Sequence, residues 1–186
     1  MYRRNNFRNN FRNKNRNSAR ARFGESIDVS KFVSKSTGQI IEEEKITNVF
    51  SDFPFSNELQ INITKSGYST PTPIQDKSIN HIICGSDIIG LADTGTGKTA
   101  AFLLPLIDKV FKNRRENVLI ITPTRELAQQ VEAEFRKFSY DMKIFSCGCV
   151  GGLPIHKQIA MLRRNPNFVI GTPGRLKDLK KRRAIN

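Results

Sequence analysis

A chain of 186 residues with 38% hydrophobic content, a net charge of +14 and a pI near 10.1 can fold one ordinary domain with tails but not two large cores. That much basic charge exceeds what solubility needs and selects an acidic polymer, nucleic acid above all, because neutralising phosphates releases condensed counterions. No apolar run approaches the ~18 residues of a membrane span and no signal-peptide core is present, so a cytoplasmic protein with no membrane partner is expected.

Residues 1–23 contain eight Lys or Arg and seven Asn but no acid, with Phe7, Phe11 and Phe23 set among them. Such a segment has too little to bury to offset the entropy of ordering, so it is expected to be a disordered arm. Arg on phosphates and Arg or Phe stacked on unpaired bases would make it an RNA-binding arm. Residues 24–48 carry the acidic patch Glu42-Glu43-Glu44 and no sustained period, which reads as a linker.

Residues 49–186 alternate between helical and β-rich patterns, the mark of an α/β domain. Ser56 to Ser66 reads as a short helix stopped by Gly67, and Pro73 to Ile83 as another stopped by Gly85. Four β-rich runs are expected as strands: Ile88 to Leu91, Val118 to Ile121, Ile144 to Val150 and Phe168 to Ile170. Between them Leu127, Val131, Phe135 and Phe138 recur at helical spacing, as do Ile155, Ile159 and Leu162. Strands separated by helices of this length pair in parallel, with the helices on the faces of the sheet.

Ala92-Asp93-Thr94-Gly95-Thr96-Gly97-Lys98-Thr99 lies between the first expected strand and a helix, which is the setting a phosphate-binding loop requires. Gly95 and Gly97 let backbone N–H groups converge on phosphates at the positive end of the following helix. Lys98 would reach the outer phosphates and Thr99 would ligate Mg2+. Ala92 stands where the strict pattern has Gly and is small enough for the turn.

Two further junctions resemble each other. Thr122-Pro123-Thr124-Arg125-Glu126 and Thr172-Pro173-Gly174-Arg175 each follow an apolar run with Thr, Pro, a small residue and Arg. Thr suits an N-cap and Pro the first helical position, so each Arg lies where free N–H groups face solvent. In a parallel sheet these turns leave on the edge that carries the phosphate loop. Gly151-Gly152, after a third run, is another place where backbone can approach a ligand closely.

Cys84, Cys147 and Cys149 with His81 and His156 supply neither a disulfide framework nor a four-ligand metal set, and Cys147-Gly148-Cys149 puts two core thiols on one strand face.

In order and approximate spacing, Phe50, Gly67 to Gln75, the loop ADTGTGKT, Pro123 to Leu127, Gly151-Gly152 and Thr172 to Arg175 resemble the first half of a DEAD-box RNA helicase. The resemblance covers residues 50–186 and implies an incomplete RecA-like domain that binds ATP with Mg2+. In that family the glutamine of the Q motif, here Gln75, recognises adenine, with Phe50 packed on the ring and Gly67 nearby. Pro123 to Leu127, Gly151-Gly152 and Thr172 to Arg175 would contact RNA backbone. A family parent opens short duplexes by bending one strand as ATP closes two domains.

The departure from the family is as informative. Hydrolysis needs a carboxylate at a strand end to help hold Mg2+ and a group to position water. The family takes both from its Asp-Glu-Ala-Asp tetrapeptide, and no apolar run here ends in Asp or Glu. The chain reaches Asn186, after the basic stretch Lys177 to Arg183, without that tetrapeptide or the second RecA-like domain. The expectation is an N-terminal helicase portion that cannot hydrolyse ATP alone and whose sheet edge invites aggregation. A non-catalytic RNA-binding or RNA-chaperone module is the alternative; an unrelated P-loop kinase would not need the adenine motif or the paired Thr-Pro junctions.

Overall fold

The computed structural model describes residues 46–185; the arm at 1–23 and residues 24–45 of the linker lie outside the described residues. Three four-residue strands, β1 (Val118–Ile121), β2 (Ser146–Cys149) and β3 (Phe168–Gly171), form a parallel sheet in the order β1-β3-β2. Register is the fact that matters for function. Val118 and Ser146 both pair with Phe168, and Ile121 and Cys149 both pair with Gly171. The C-terminal ends of the three strands are therefore level, and the chain leaves all of them on one edge.

Helices cover both faces, as the alternating pattern predicts. α1 (Asn57–Lys65), α2 (Pro73–Ile83), α3 (Lys98–Lys112) and α4 (Arg125–Phe138) surround one core. In it Leu59, Ile79, Leu103, Leu104 and Ile107 meet Phe135, Phe138 and the inward strand residues Phe168 and Ile170. Phe135 and Phe168 are in ring contact at 4.5 Å between centroids, so α4 is keyed to the middle strand. Alternation along the strands turns Cys147, Cys149 and Val169 to the other face, where they pack with Leu162 of α5 (Ile155–Leu162) and Leu179 of α6 (Pro173–Lys181).

Local signals account for most helix ends. Pro73 and Pro173 open α2 and α6, and Gly67 and Gly85 follow α1 and α2 at positive φ. Two buried polar side chains tie distant segments to these helices. Asn62 of α1 donates to the carbonyls of Phe138 and Tyr140, both at 2.8 Å, which satisfies the end of α4. Asp108 of α3 accepts from the Ser56 amide at 2.7 Å and pairs with Lys112.

One expected strand does not form. Ile88 to Leu91 runs as irregular backbone, with Ile89 and Leu91 about nine-tenths exposed. β-branched residues make a strand only against a neighbour, and none of the described strands lies beside this run. The outer edge of β1 is open too, with Leu119 and Ile121 more than half exposed. Between them lies a groove of about 590 Å³, walled by Ile74, Ile88, Phe102, Leu119, Ile121 and Leu127, with Lys98 and Thr99 at its rim. The third expected strand is shorter than its run, Ser146–Cys149 rather than Ile144 to Val150, and the last extends one residue to Gly171.

Candidate functional site

The loop Ala92 to Thr99 enters α3 through Gly97, its N-cap, at φ 85°, with Gly95 at φ 83°. A side chain at Gly97 would be strained and would collide with the Gln75 amide. The Lys98 ammonium is folded back onto the carbonyls of Ala92 and Asp93, and the Thr96 hydroxyl donates to the Asp93 carbonyl at 2.8 Å. The cation thus sits over the loop that would cradle phosphates. Thr99 occupies the first turn of α3, half-buried beside it.

With no strand behind it, the loop takes its support from α2. The Gln75 amide bridges two backbones: its oxygen accepts from Thr72 N at 2.9 Å and its nitrogen donates to Gly97 O at 3.1 Å. The Thr72 hydroxyl donates to Thr96 O at 2.7 Å. Gln75 is 1% exposed, and these contacts make it a strut as well as a candidate base reader. Phe50 packs in the core against Phe53 and Tyr68, and its edge lines a cavity of about 350 Å³ with Val49, Gly67, Tyr68 and Ser69. Burial, helped by nearby Glu134, raises the Tyr68 hydroxyl above its ordinary range and keeps it protonated.

The other candidate residues gather at the level strand ends. Thr122 N donates to Gly171 O at 3.0 Å and Thr172 N to Cys149 O at 3.1 Å, so ladder bonds carry on into the turns. The Thr124 hydroxyl caps α4 by accepting from Leu127 N at 3.2 Å. The Arg125 guanidinium lies directly over Gly151-Gly152, where a Cβ on Gly152 would come within 2.5 Å of Nη1. Arg175 Nη1 donates to Leu153 O at 3.1 Å. The three turns are therefore joined by two arginines, and Pro123, Thr124, Glu126, Gly152, Pro173 and Gly174 are exposed around them.

Three supporting residues were not singled out from the sequence. Gln158 of α5 donates to Val150 O at 2.9 Å and fixes the backbone just before Gly151. Glu132 of α4 accepts from Ser146 and pairs with Arg136, pinning the start of β2. Asp76 accepts four hydrogen bonds from Thr47 and Asn48. A polar residue at a helix position gives no sign of a partner that distant in the chain.

Cys147 and Cys149 are fully buried with sulfurs 3.8 Å apart. Donation of its S–H to the Cys147 sulfur, together with burial, pushes the Cys149 thiol up, so it stays protonated and unreactive. Among the described residues no group of three His, Cys, Asp or Glu could hold a metal ion, and no helix is long and apolar enough to cross a membrane. The strands are followed by Thr122, Val150 and Thr172, none of them a carboxylate. Asp108 and Asp178 are in helices and already paired with Lys112 and Arg182.

A model of the DEAD/DEAH box helicase family matches residues 72–186, a span that holds Gln75, the phosphate loop and all three turns. The chain belongs to the DEAD/DEAH box helicase family. The ATP-dependent RNA helicase CshA of Listeria monocytogenes is 45% identical to this DEAD/DEAH box chain over 137 residues, which are 73% of the chain and 26% of CshA. A DEAD box protein from the hyperthermophile Methanococcus jannaschii matches with a TM-score of 0.70 and 37% identity, over 74% of this chain and 38% of that one. A hypothetical ATP-dependent RNA helicase from Sulfolobus tokodaii matches with a TM-score of 0.64 and 33% identity, over 70% and 38%. The DEAD/DEAH box chain thus has the parallel, helix-flanked sheet of RecA-like DEAD-box domains, and spans about a quarter of the length of CshA. Phe50 and Gly67 precede the family match.

Proposed function

We propose that residues 49–186 are the ATP- and RNA-binding portion of an ATP-dependent RNA helicase, and that these residues alone do not hydrolyse ATP. The observation that carries the reading is the placement of a phosphate loop at the N-terminus of a fifteen-residue helix beside three level strand-to-helix turns linked by Arg125 and Arg175. One region offers N–H groups and an ammonium to a triphosphate, and the other offers helix N-termini and guanidinium groups to a polynucleotide backbone.

The residues present fit ATP with its metal. Lys98, now on the loop carbonyls, would turn to the outer phosphates, and the Thr99 hydroxyl would be the protein ligand for Mg2+ carried by the triphosphate. When bound, that ion would neutralise developing phosphate charge. Adenine would lie in the cavity at Phe50, Gly67 and Tyr68, with Gln75 as the base reader that the family resemblance implies. Pro123, Thr124, Arg125, Glu126, Gly151, Gly152, Thr172, Pro173, Gly174 and Arg175 would follow the RNA backbone. Among the described residues no strand ends in a carboxylate that could help hold Mg2+ or orient water, so binding without turnover is expected. In a cytoplasmic parent, a second RecA-like domain would complete the site and let ATP drive the opening of short duplexes.

The test is direct. Equilibrium titration of the 186-residue chain should give saturable binding of ADP that Lys98→Ala removes. It should also give binding of single-stranded RNA that weakens with salt. Deleting residues 1–23 should reduce the salt slope by about 0.7 for each phosphate the arm neutralises. Failure to bind either ligand contradicts the reading. The absent strand-end carboxylate also favours a second reading, a non-catalytic RNA-binding module, under which RNA binds and ADP does not.

A further inference from the structure

Asp76 is the one acidic side chain of α2, next to Gln75 and buried at 8% exposure, yet its hydrogen bonds go to Thr47 and Asn48 rather than to the phosphate loop or the turns. Its two carboxylate oxygens take up the backbone N–H of Thr47 at 2.8 Å and of Asn48 at 3.2 Å, the Thr47 hydroxyl at 3.0 Å and the Asn48 amide at 2.6 Å. Burial alone would raise this carboxyl; the four hydrogen bonds outweigh it and hold the group ionised, below the usual range. Four donors on one ionised carboxylate is the arrangement that fixes a segment strongly, since bonds to charged acceptors are worth about twice neutral ones.

The segment so fixed leads straight into the wall of the 350 Å³ cavity. Val49 N donates to Asp52 at 2.9 Å to form the short turn Phe50–Asp52, and Gln60 of α1 donates to the carbonyls of Phe50 at 2.9 Å and Phe53 at 3.3 Å. α1 therefore holds the far side of this wall, and the near side depends on α2. Successive residues of one helical turn point in different directions. Gln75 faces the loop at Gly97 while Asp76 faces Thr47 and Asn48.

We propose that Asp76 is a positioning residue for base recognition: by clamping Thr47 and Asn48 to α2 it sets the Val49 to Ser51 wall at a constant distance from the phosphate loop that Gln75 holds. The inference rests on the reading of this cavity as the adenine pocket. A base gains affinity only when its pocket and the phosphate cradle are in register, so a wall free to shift would weaken adenine and leave pyrophosphate binding as it was.

Isothermal titration calorimetry of ADP, GDP and inorganic pyrophosphate tests this on the wild-type chain, Asp76→Ala, Asp76→Asn and Asn48→Ala. The wild type should prefer ADP to GDP. Asp76→Ala should weaken ADP by about tenfold, erasing that preference, with GDP and pyrophosphate unchanged. Asn48→Ala alters a partly exposed side chain outside the core and keeps the fold intact if Asp76→Ala does not; it should weaken ADP by about threefold. Asp76→Asn keeps one acceptor oxygen and should fall between wild type and Asp76→Ala. Folded variants that keep the wild-type ADP-to-GDP ratio overturn the proposal, and so does an equal loss for ADP, GDP and pyrophosphate. A wild type that binds pyrophosphate without preferring ADP contradicts the adenine-pocket reading instead, and the role of Asp76 falls with it.

Discussion

The phosphate loop and the turn after β1 have the same grammar, an apolar run, a small-residue turn and a helix, yet they are held differently. The β1 turn grows out of a ladder: Ile121 pairs with Gly171, and Thr122 is bonded to that same glycine. The phosphate loop follows Ile88 to Leu91, which has no strand beside it among the described residues, and it is held by Thr72 and Gln75 of the neighbouring α2 region. Where a sheet is present it aligns the turns; where it is not, side-chain struts do that work. A strut is more easily broken than a ladder, and the two regions should respond differently to substitution.

The largest effect should come from undoing the sheet. Phe168→Ala removes the fully buried ring that keys β3 to Phe135, and should cost about 3–5 kcal/mol in urea unfolding. RNA binding should be lost with it, because the turns lose their common platform.

Separating the two regions requires milder changes. Gln75→Ala cuts the strut, and ADP affinity should fall by about tenfold while RNA affinity stays within twofold or so. Arg125→Ala should do the reverse, weakening single-stranded RNA and lowering the salt slope by about one while ADP binding is unchanged. If each substitution weakens both ligands equally, the comparison collapses, and the two regions behave as one cooperative surface.

Smaller effects sharpen the picture. Thr124→Ala removes the cap on α4 and should cost about 1 kcal/mol of stability, read from urea midpoints. Asp76 gives a pH signature. Its folded pKa lies below the unfolded value, so its stabilisation is complete above the unfolded pKa and lost as pH falls through the folded one. The wild type should therefore lose more stability than Asp76→Asn between neutral and strongly acidic pH.

Much of this arrangement was legible before any coordinates. Thr-Pro at the head of a helix and Gly just past its end are local chemistry, so both ends of α2 and the start of α6 could be placed from a few residues each. The parallel sheet followed from the spacing of its runs. Ile88 to Leu91 was misjudged because a β-rich run records what a segment can do beside a partner, not whether the partner is there. The seating of Arg125 on Gly151-Gly152 was not legible, since it depends on β1 and β2 ending level through their common neighbour β3. Nor was the Asp76 clamp, whose partners lie 28 and 29 residues upstream in a stretch without period.

The central claim is that residues 49–186 hold nucleotide and RNA without the groups that complete hydrolysis. Phosphate release from ATP, measured on the 186-residue chain saturated with single-stranded RNA and with ADP binding checked on the same sample, tests it most directly. The account predicts bound nucleotide and no release above background. Release that exceeds background and disappears in Lys98→Ala would contradict it.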